Sequence, residues 1–166
     1  MARRSGVFVR SLGDADQSWK LATLERGWGA TTVARLAELV DAAPLPGFVA
    51  LDGDERIGLL TYLERADGIE VATVQALELG RGVGWALMDA VHEHAVQREA
   101  PRLWLITTND NLRAIAFYQQ WGMDLRRVIR NGVDASRRVK PSIPTIGDAG
   151  IPVRHELEFE RLVNQP

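Results

Sequence analysis

Three glycines within five residues, Gly80-Arg-Gly-Val-Gly84, form the segment of the sequence with the clearest chemical meaning. They follow a segment typical of a strand and precede apolar residues at helical spacing. Glycine lets the backbone approach a ligand closely, and the first N–H groups of a helix lack intrahelical partners. With the positive end of the helix dipole, these donors favour an anion such as pyrophosphate. A tight turn that binds nothing is the alternative, because a glycine-rich turn alone is weak evidence.

Two common phosphate-binding motifs do not fit this turn. A Walker loop requires Gly-Lys-Ser/Thr, whereas Gly84 is followed by Trp85. A Rossmann fingerprint requires a third glycine at position 85 or 87, where the sequence has Trp85 and Leu87. The sequence therefore excludes both P-loop and Rossmann readings of the turn.

The composition limits the remaining chemistry. The chain has 166 residues and no cysteine, which excludes a cysteine nucleophile and thiolate metal sites, and no metal site is expected. Its 20 basic and 22 acidic residues give a net charge of −2, which argues against a nucleic-acid partner. The basic segment Met1–Ser5 is followed by no apolar signal segment, and no membrane span is present in the sequence. We expect one cytoplasmic domain over residues 1–166, without a membrane partner.

The hydrophobic pattern predicts an α+β fold with a mixed sheet and flanking helices. Tight turns make the first strands an antiparallel meander, and a helical crossover makes the pair 69–77 and 103–107 parallel. Strands are predicted at residues 7–11, 47–51, 56–63, 69–77, 103–107, 123–129 and 155–162. Helices are predicted from Asp14 or Asp16 to Trp28, from Thr31 or Thr32 through Val33, Leu36, Leu39 and Val40, from the glycine turn to Pro101, and from Asn111 to Trp121.

Two segments resemble one known family. Arg81-Gly-Val-Gly-Trp-Ala86 is similar to the pyrophosphate signature Arg/Gln-x-x-Gly-x-Gly/Ala of the GNAT superfamily of acyl-CoA-dependent N-acetyltransferases. Residues 111–118, followed by Trp121-Gly-Met123, resemble that family's Asn-x-x-Ala-x-x-x-Tyr and Gly-Phe motif. The order of elements also agrees, and the segment after residue 131 resembles an uncharacterised bacterial branch. The chain is identified as a member of this superfamily.

The resemblance implies a bound acetyl-CoA cosubstrate between two splayed strands. Backbone groups near Ala76, Leu77 and Leu79 would pair with the pantetheine arm, and one N–H there would polarise the thioester carbonyl. Asn111 would contact the same arm. Arg81 belongs to the cofactor-binding set, and the pyrophosphate would be held by the N–H groups of Gly82, Val83, Gly84, Trp85 and Ala86.

The implied activity is N-acetyl transfer to the amine of a small molecule or peptide. Without cysteine, direct attack by a neutral amine in a ternary complex is the simpler route. Tyr118 would protonate the departing thiolate, unless it is only a packed phenol with its hydroxyl at the surface. Glu70 resembles the base of some branches; Glu64 and Glu78 compete, and each is otherwise a solvated carboxylate. A non-catalytic CoA-binding regulatory module is the alternative function.

The region after the motifs carries a local positive charge without an assigned role. Residues 131–152 are predicted to form a long loop, either a lid over the acceptor site or an arm in a homodimer. The basic cluster predicts recognition of an acidic substrate or of the CoA 3′-phosphate, or else a solvated surface. Its members are Arg126, Arg127, Arg130, Arg137, Arg138 and Lys140.

Overall fold

The computed structural model describes residues 6–164. The basic segment Met1–Ser5, after which no signal segment is expected, lies outside these residues. The strands are β1 Phe8–Ser11, β2 Thr32–Arg35, β3 Glu38–Asp41, β4 Gly47–Asp52, β5 Glu55–Arg65, β6 Gly68–Ala76, β7 Arg102–Thr108, β8 Asp124–Ile129 and β9 Glu156–Leu162. The helices are α1 Gln17–Trp28, α2 Val83–Gln97, α3 Leu112–Trp121 and α4 Gly132–Val139. Within residues 6–164, no helix combines the length and apolar character that crossing a bilayer requires.

The predicted mixed α+β architecture is confirmed. Seven strands form one sheet in the order β1-β4-β5-β6-β7-β9-β8, and β2 pairs with β3 as a separate hairpin. The β6–β7 pair is parallel because α2 crosses between them, and the other pairs are antiparallel. One face of α2 packs on this sheet, and its fully buried residues are Val83, Leu87, Met88, Val91 and Ala95.

The parallel pair β6–β7 separates soon after it begins. Only Ile69 and Glu70 of β6 pair with β7, opposite Leu103 and Trp104. Beyond them, Val71 pairs with Tyr62 of β5 and Thr73 with Thr61, so Ala72 is an extra residue in β6. Such a bulge bends its strand. It turns β6 away from β7 and produces the expected splay between the two strands.

The helix predicted from Thr31 or Thr32 to about Val40 is wrong, because this segment forms the β2–β3 hairpin. Its two turn residues, Leu36 and Ala37, have φ values of 51° and 59°, which costs about 1–2 kcal/mol each in a residue with a side chain. The Leu36 N–H donates to the Glu156 carboxylate and the Ala37 N–H to the Ser136 hydroxyl. A hydrogen bond to a charged group stabilises by about 1.5–3 kcal/mol, which offsets this strain.

The loop predicted over residues 131–152 is also wrong in part, because α4 begins at Gly132. Val133 and Ser136 are buried on the side of α4 that contacts the β2–β3 hairpin. The Arg137 guanidinium donates to the carbonyl groups of three later residues, which holds the rest of the segment against α4. Those residues are Ile143, Pro144 and Val153. The segment therefore covers the hairpin and does not project as an extended arm.

A glycine in the hairpin turn should stabilise the protein, whereas glycine usually destabilises regular structure. Replacing the exposed Ala37 by glycine removes left-handed strain and adds a smaller entropic cost, so we expect about 0.5–1 kcal/mol of stabilisation. This corresponds to a rise in Tm of about 1–4 °C, measured by thermal unfolding. The matched control Ala90→Gly, inside α2, should lower stability by about 1 kcal/mol. A lower Tm for Ala37→Gly than for the unaltered protein would contradict the strain argument.

Candidate active site

A cavity of about 760 Å³ opens where β6 and β7 diverge. Ile69 and Val71 pack on the α2 face of the sheet, so strand alternation directs the Glu70 side chain to the opposite face. Both faces contribute to the cavity, which therefore runs through the gap in the sheet. Its lining includes Gly82, Val83, Gly84, Trp85, Asn111 and Tyr118 from the α2 and α3 side, and Trp28, Val33, Arg35, Glu70 and Glu156 from the other.

The glycine turn leaves backbone donors at one end of this cavity. Gly80 and Gly82 have φ values of 77° and 76°, the left-handed region that favours glycine. Gly82 is the N-cap of α2, and its carbonyl accepts the first intrahelical hydrogen bond from the Ala86 N–H at 3.0 Å. The N–H groups of residues 83–85 precede that bond and are available to an anion that binds at the helix N-terminus. The Ala86 N–H is already used and does not line the cavity.

Gly84 is required for a different reason, which is the close packing of α2 against α3. A Cβ atom at this position would lie 3.2 Å from the Phe117 ring of α3. The two helices therefore approach each other closely beside the N-terminus of α2. This contact brings α3, with Asn111 and Tyr118, next to the glycine turn.

Arg81 lies outside the cavity lining. Its guanidinium donates to Glu78 at 2.6 Å and forms an ion pair with Asp52 at 2.7 Å. These two carboxylates raise the pKa of Arg81 further above its ordinary value, and the hydrogen bond that Arg81 donates to Glu78 is the largest cause. The side chain thus braces the glycine turn against β4 in this structure.

The end of β6 presents backbone groups to the gap. The Leu77 N–H donates to the Ile57 carbonyl at 2.9 Å, so that group belongs to the sheet. Backbone groups alternate in direction along a strand, which directs those of Ala76 and Val74 away from β5 and toward the gap. Leu79 lies beyond the strand and is largely exposed at the rim of the cavity.

Tyr118 lines the cavity from α3 and is buried. Its ring packs against Phe117 and Phe159, with centroid separations of 5.5 and 5.9 Å. Burial raises the pKa of the Tyr118 phenol above its ordinary value, so the group is protonated at neutral pH. A protonated phenol on a residue that lines the cavity can donate a proton to a leaving group that binds there.

Asn111 joins α3 to β7. Its amide oxygen accepts from the Ala114 N–H at 3.3 Å and so caps the helix. Its amide nitrogen donates to the Thr107 hydroxyl at 3.3 Å. The side chain therefore fixes the start of α3 at the edge of the gap and also lines the cavity.

Glu70 is enclosed by arginines and is not a solvated carboxylate. It is 1% exposed. Its two oxygens accept from the Arg35 guanidinium at 2.7 and 2.8 Å, and one also accepts from Arg65 at 2.9 Å. Glu38 bonds to the same two arginines from the hairpin. The network fixes the hairpin to β5 and β6.

The other two candidate bases are also paired with cations. Glu64 lies outside the cavity lining and pairs with Arg98 at 3.1 Å. Glu78 lines the cavity but binds Arg81. All three candidate bases therefore form ion pairs within the chain.

The predicted basic cluster is divided among several partners. Arg126 and Arg127 form ion pairs with Glu158, and Arg126 also pairs with Glu160. Lys140 donates to the carbonyl groups of Trp28 and Thr32, and burial lowers its pKa. Because these cations are engaged within the chain, the geometry gives no support to recognition of an acidic substrate by the whole cluster.

Glu156 is a cavity residue that the sequence did not single out. It is 1% exposed and lies at the start of β9. Its carboxylate accepts from the Leu36 N–H and from the Ser136 hydroxyl at 2.5 Å. One feature of the sequence could have indicated it. Glu156, Glu158 and Glu160 alternate along residues 155–162 and so share one face of a strand in the sheet interior, where carboxylates need partners.

Comparisons with known proteins agree with this geometry. Residues 16–123 match the model of the acetyltransferase (GNAT) family. The chain is 35% identical over 137 residues to the uncharacterized protein YxbD of Bacillus subtilis (strain 168), covering 82% of this chain and 86% of that protein. The chain therefore belongs to the GNAT acetyltransferase family.

Solved structures share the fold. An IAA acetyltransferase from Bacillus cereus ATCC 14579 superposes with a TM-score of 0.70 at 20% identity, covering 94% of this chain and 99% of that one. A GNAT family acetyltransferase from Elizabethkingia anophelis with acetyl-CoA bound gives a TM-score of 0.68 at 14% identity, covering 95% and 99%. These likenesses confirm the fold predicted from the two motifs.

Loss of the Glu70 charge should lower the stability of the protein strongly, because two arginines depend on it. Glu70→Gln removes a buried charge between two guanidinium groups, so we expect a loss of about 3–5 kcal/mol in the free energy of unfolding. Urea denaturation measures this change. The control Glu64→Gln breaks a partly exposed pair and should cost at most about 1 kcal/mol. Equal, small losses in both variants would show that the network contributes little to stability.

Proposed function

We propose that this protein transfers an acetyl group from acetyl-CoA to an amine within a ternary complex. The observation that carries the proposal is the continuous cavity through the β6–β7 gap. It joins helix N-terminal donors on one face of the sheet to a chamber lined by charged residues on the other. Family membership and an acetyl-CoA-bound structural relative support the same assignment.

The cavity suits the three parts of the cosubstrate. The pyrophosphate would lie against the N–H groups of residues 83–85, where the helix dipole favours negative charge. The pantetheine arm would take the place of the missing strand pairing, with its amides facing the backbone groups of Ala76 and Val74. The thioester would then reach the gap near Tyr118.

The reaction requires two proton transfers. A neutral amine nitrogen attacks the thioester carbonyl, the C–N bond forms, and the C–S bond breaks. One backbone N–H of β6 would stabilise the oxyanion that forms between these steps. The Tyr118 phenol would protonate the departing thiolate. The amine must lose its own proton to a base or to water. The bonds from Arg35 and Arg65 favour a structural role for Glu70, in which it holds the β2–β3 hairpin against the sheet.

The pairing of the candidate bases with arginines supports a second candidate function, a CoA-binding module without transfer activity. Glu64, Glu70 and Glu78 are all engaged in ion pairs. A regulatory protein would bind acetyl-CoA yet release no free thiol with any amine. Thiol release in an amine panel therefore separates the two functions.

A negative charge introduced into the glycine turn should weaken acetyl-CoA binding strongly. Gly84→Glu places a carboxylate beside the proposed pyrophosphate and beside Phe117, so acetyl-CoA affinity should fall at least about 100-fold. Calorimetric titration measures this affinity, and circular dichroism checks the fold. Val96→Glu makes the same charge change on an exposed position near the other end of α2 and should leave affinity unchanged. Normal acetyl-CoA affinity in the Gly84 variant would place the pyrophosphate elsewhere.

Removal of the Tyr118 hydroxyl should lower turnover without weakening acetyl-CoA binding. Tyr118→Phe removes the proposed acid but keeps the packed ring, so kcat should fall about 100-fold or more with little change in KM for acetyl-CoA. Steady-state assays of thiol release measure both constants. Tyr62→Phe is the matched control, because Tyr62 is also buried but does not line the cavity. If the two variants retain the same kcat, Tyr118 is not the acid.

A further inference from the structure

Glu156 differs from every other buried carboxylate in residues 6–164. It is the one buried carboxylate there that has no Lys, Arg or His nitrogen within 4.0 Å. The others are paired with arginines: Asp16 with Arg10 and Arg56, Glu70 with Arg35 and Arg65, and Glu158 with Arg102 and Arg127. A buried charge without a counterion is costly, and proteins normally pair it.

The donors around Glu156 leave one acceptor position open. Its Oε1 accepts from the Ser136 hydroxyl at 2.5 Å and from the Leu36 N–H at 3.2 Å. Its Oε2 accepts only from the Leu36 N–H, at 3.0 Å. A carboxylate offers about four acceptor positions, so Oε2 retains one for a further donor. Glu156 lines the cavity, where a ligand can supply that donor.

Several elements hold this carboxylate in place. The Leu36–Ala37 turn adopts a strained backbone whose N–H groups point to Glu156 and Ser136. Gly132 approaches so closely that a Cβ atom there would lie 2.9 Å from Oε2. Backbone strain that surrounding contacts maintain is typical of ligand-binding sites. Three separate parts of the chain thus fix one carboxyl group without a cationic partner in the cavity.

The cationic residues of the cavity do not neutralise Glu156. Arg35 lines the same chamber, but it is bonded to Glu70 and Glu38. Arg113 is exposed on α3, the helix that contacts the glycine turn through Phe117, and so lies on the side proposed for the anionic cosubstrate. Neither arginine is therefore a partner of Glu156 in this structure.

We propose that Glu156 binds a cationic group of the acceptor, which is a small amine with a second positive charge. This inference rests on the proposed acetyl transfer. The reacting nitrogen must be neutral when it attacks, so a carboxylate that anchors the acceptor throughout must hold a different cationic group. Trp28 also lines this chamber, and its ring face suits a cation. The acceptor site thus selects diamines and other dicationic amines over amino acids with acidic side groups.

The test compares two amines of the same length. Calorimetric titrations with 1,4-diaminobutane and 4-aminobutyrate are carried out on the full chain, with and without saturating CoA. We expect the diamine to bind at least ten-fold more tightly, because its second group is an ammonium where the other amine has a carboxylate. Glu156→Gln should remove at least ten-fold of the diamine affinity. Glu160→Gln, the same charge change on the same strand but paired with Arg102 and Arg126, should keep it.

Each outcome has one meaning. Equal binding of the two amines, no diamine binding at millimolar concentration, or unchanged diamine affinity in Glu156→Gln overturns the inference. Should Glu156→Gln not fold, Ser136→Ala removes the 2.5 Å hydrogen bond and should weaken diamine binding several-fold; unchanged binding also overturns it. Acetyl-CoA binding and thiol release by the unaltered protein test the proposed function separately. Diamine binding without thiol release rejects the transfer activity and not the cationic site.

Discussion

The extra residue Ala72 in β6 is the constraint on which the rest of the site depends. It ends the β6–β7 pairing after Glu70 and leaves a gap in the interior of a seven-stranded sheet. Unpaired backbone groups inside a protein are costly, so such a gap is stable only when a ligand or solvent can satisfy them. The glycine turn, α2 and α3 then surround one opening of this gap. The proposed chemistry follows from a cosubstrate that replaces the missing strand pairing.

The opposite opening is built by contacts between distant parts of the chain. The β2–β3 hairpin is fixed from one side by the arginines on Glu70 and from the other by Glu156 and Ser136. These contacts join β2, β6, β9 and α4, so the shape of the cavity on this face depends on packing across the whole sheet. A buried carboxyl group without a cationic partner is tolerated there because the Leu36 N–H and the Ser136 hydroxyl donate hydrogen bonds to it. Its remaining hydrogen-bond acceptor position is the one that we propose for a cationic group of the substrate.

The sequence predicted the parts of the site that rest on local chemistry. The glycine turn, the crossover helix and the Asn111–Tyr118 motif have recognisable spacing, and the structure forms those elements where they were expected. It could not predict the hairpin, because Leu36-Ala37 lacks the Asn-Gly chemistry of such turns and owes its left-handed backbone to Glu156, 120 residues away. The partners of Glu70 and of the basic cluster were hidden for the same reason. Ion pairs between distant strands leave no periodic signal in a sequence.

A crystal structure of the complex with CoA would show whether the cosubstrate occupies the β6–β7 gap. We expect the pyrophosphate to lie within hydrogen-bonding distance of the N–H groups of residues 83–85. We also expect a pantetheine arm between β6 and β7, bonded to the backbone of Ala76 or Val74. CoA bound on the outer surface of the protein, with the β6–β7 gap empty or closed, would show that the gap is not the cosubstrate site.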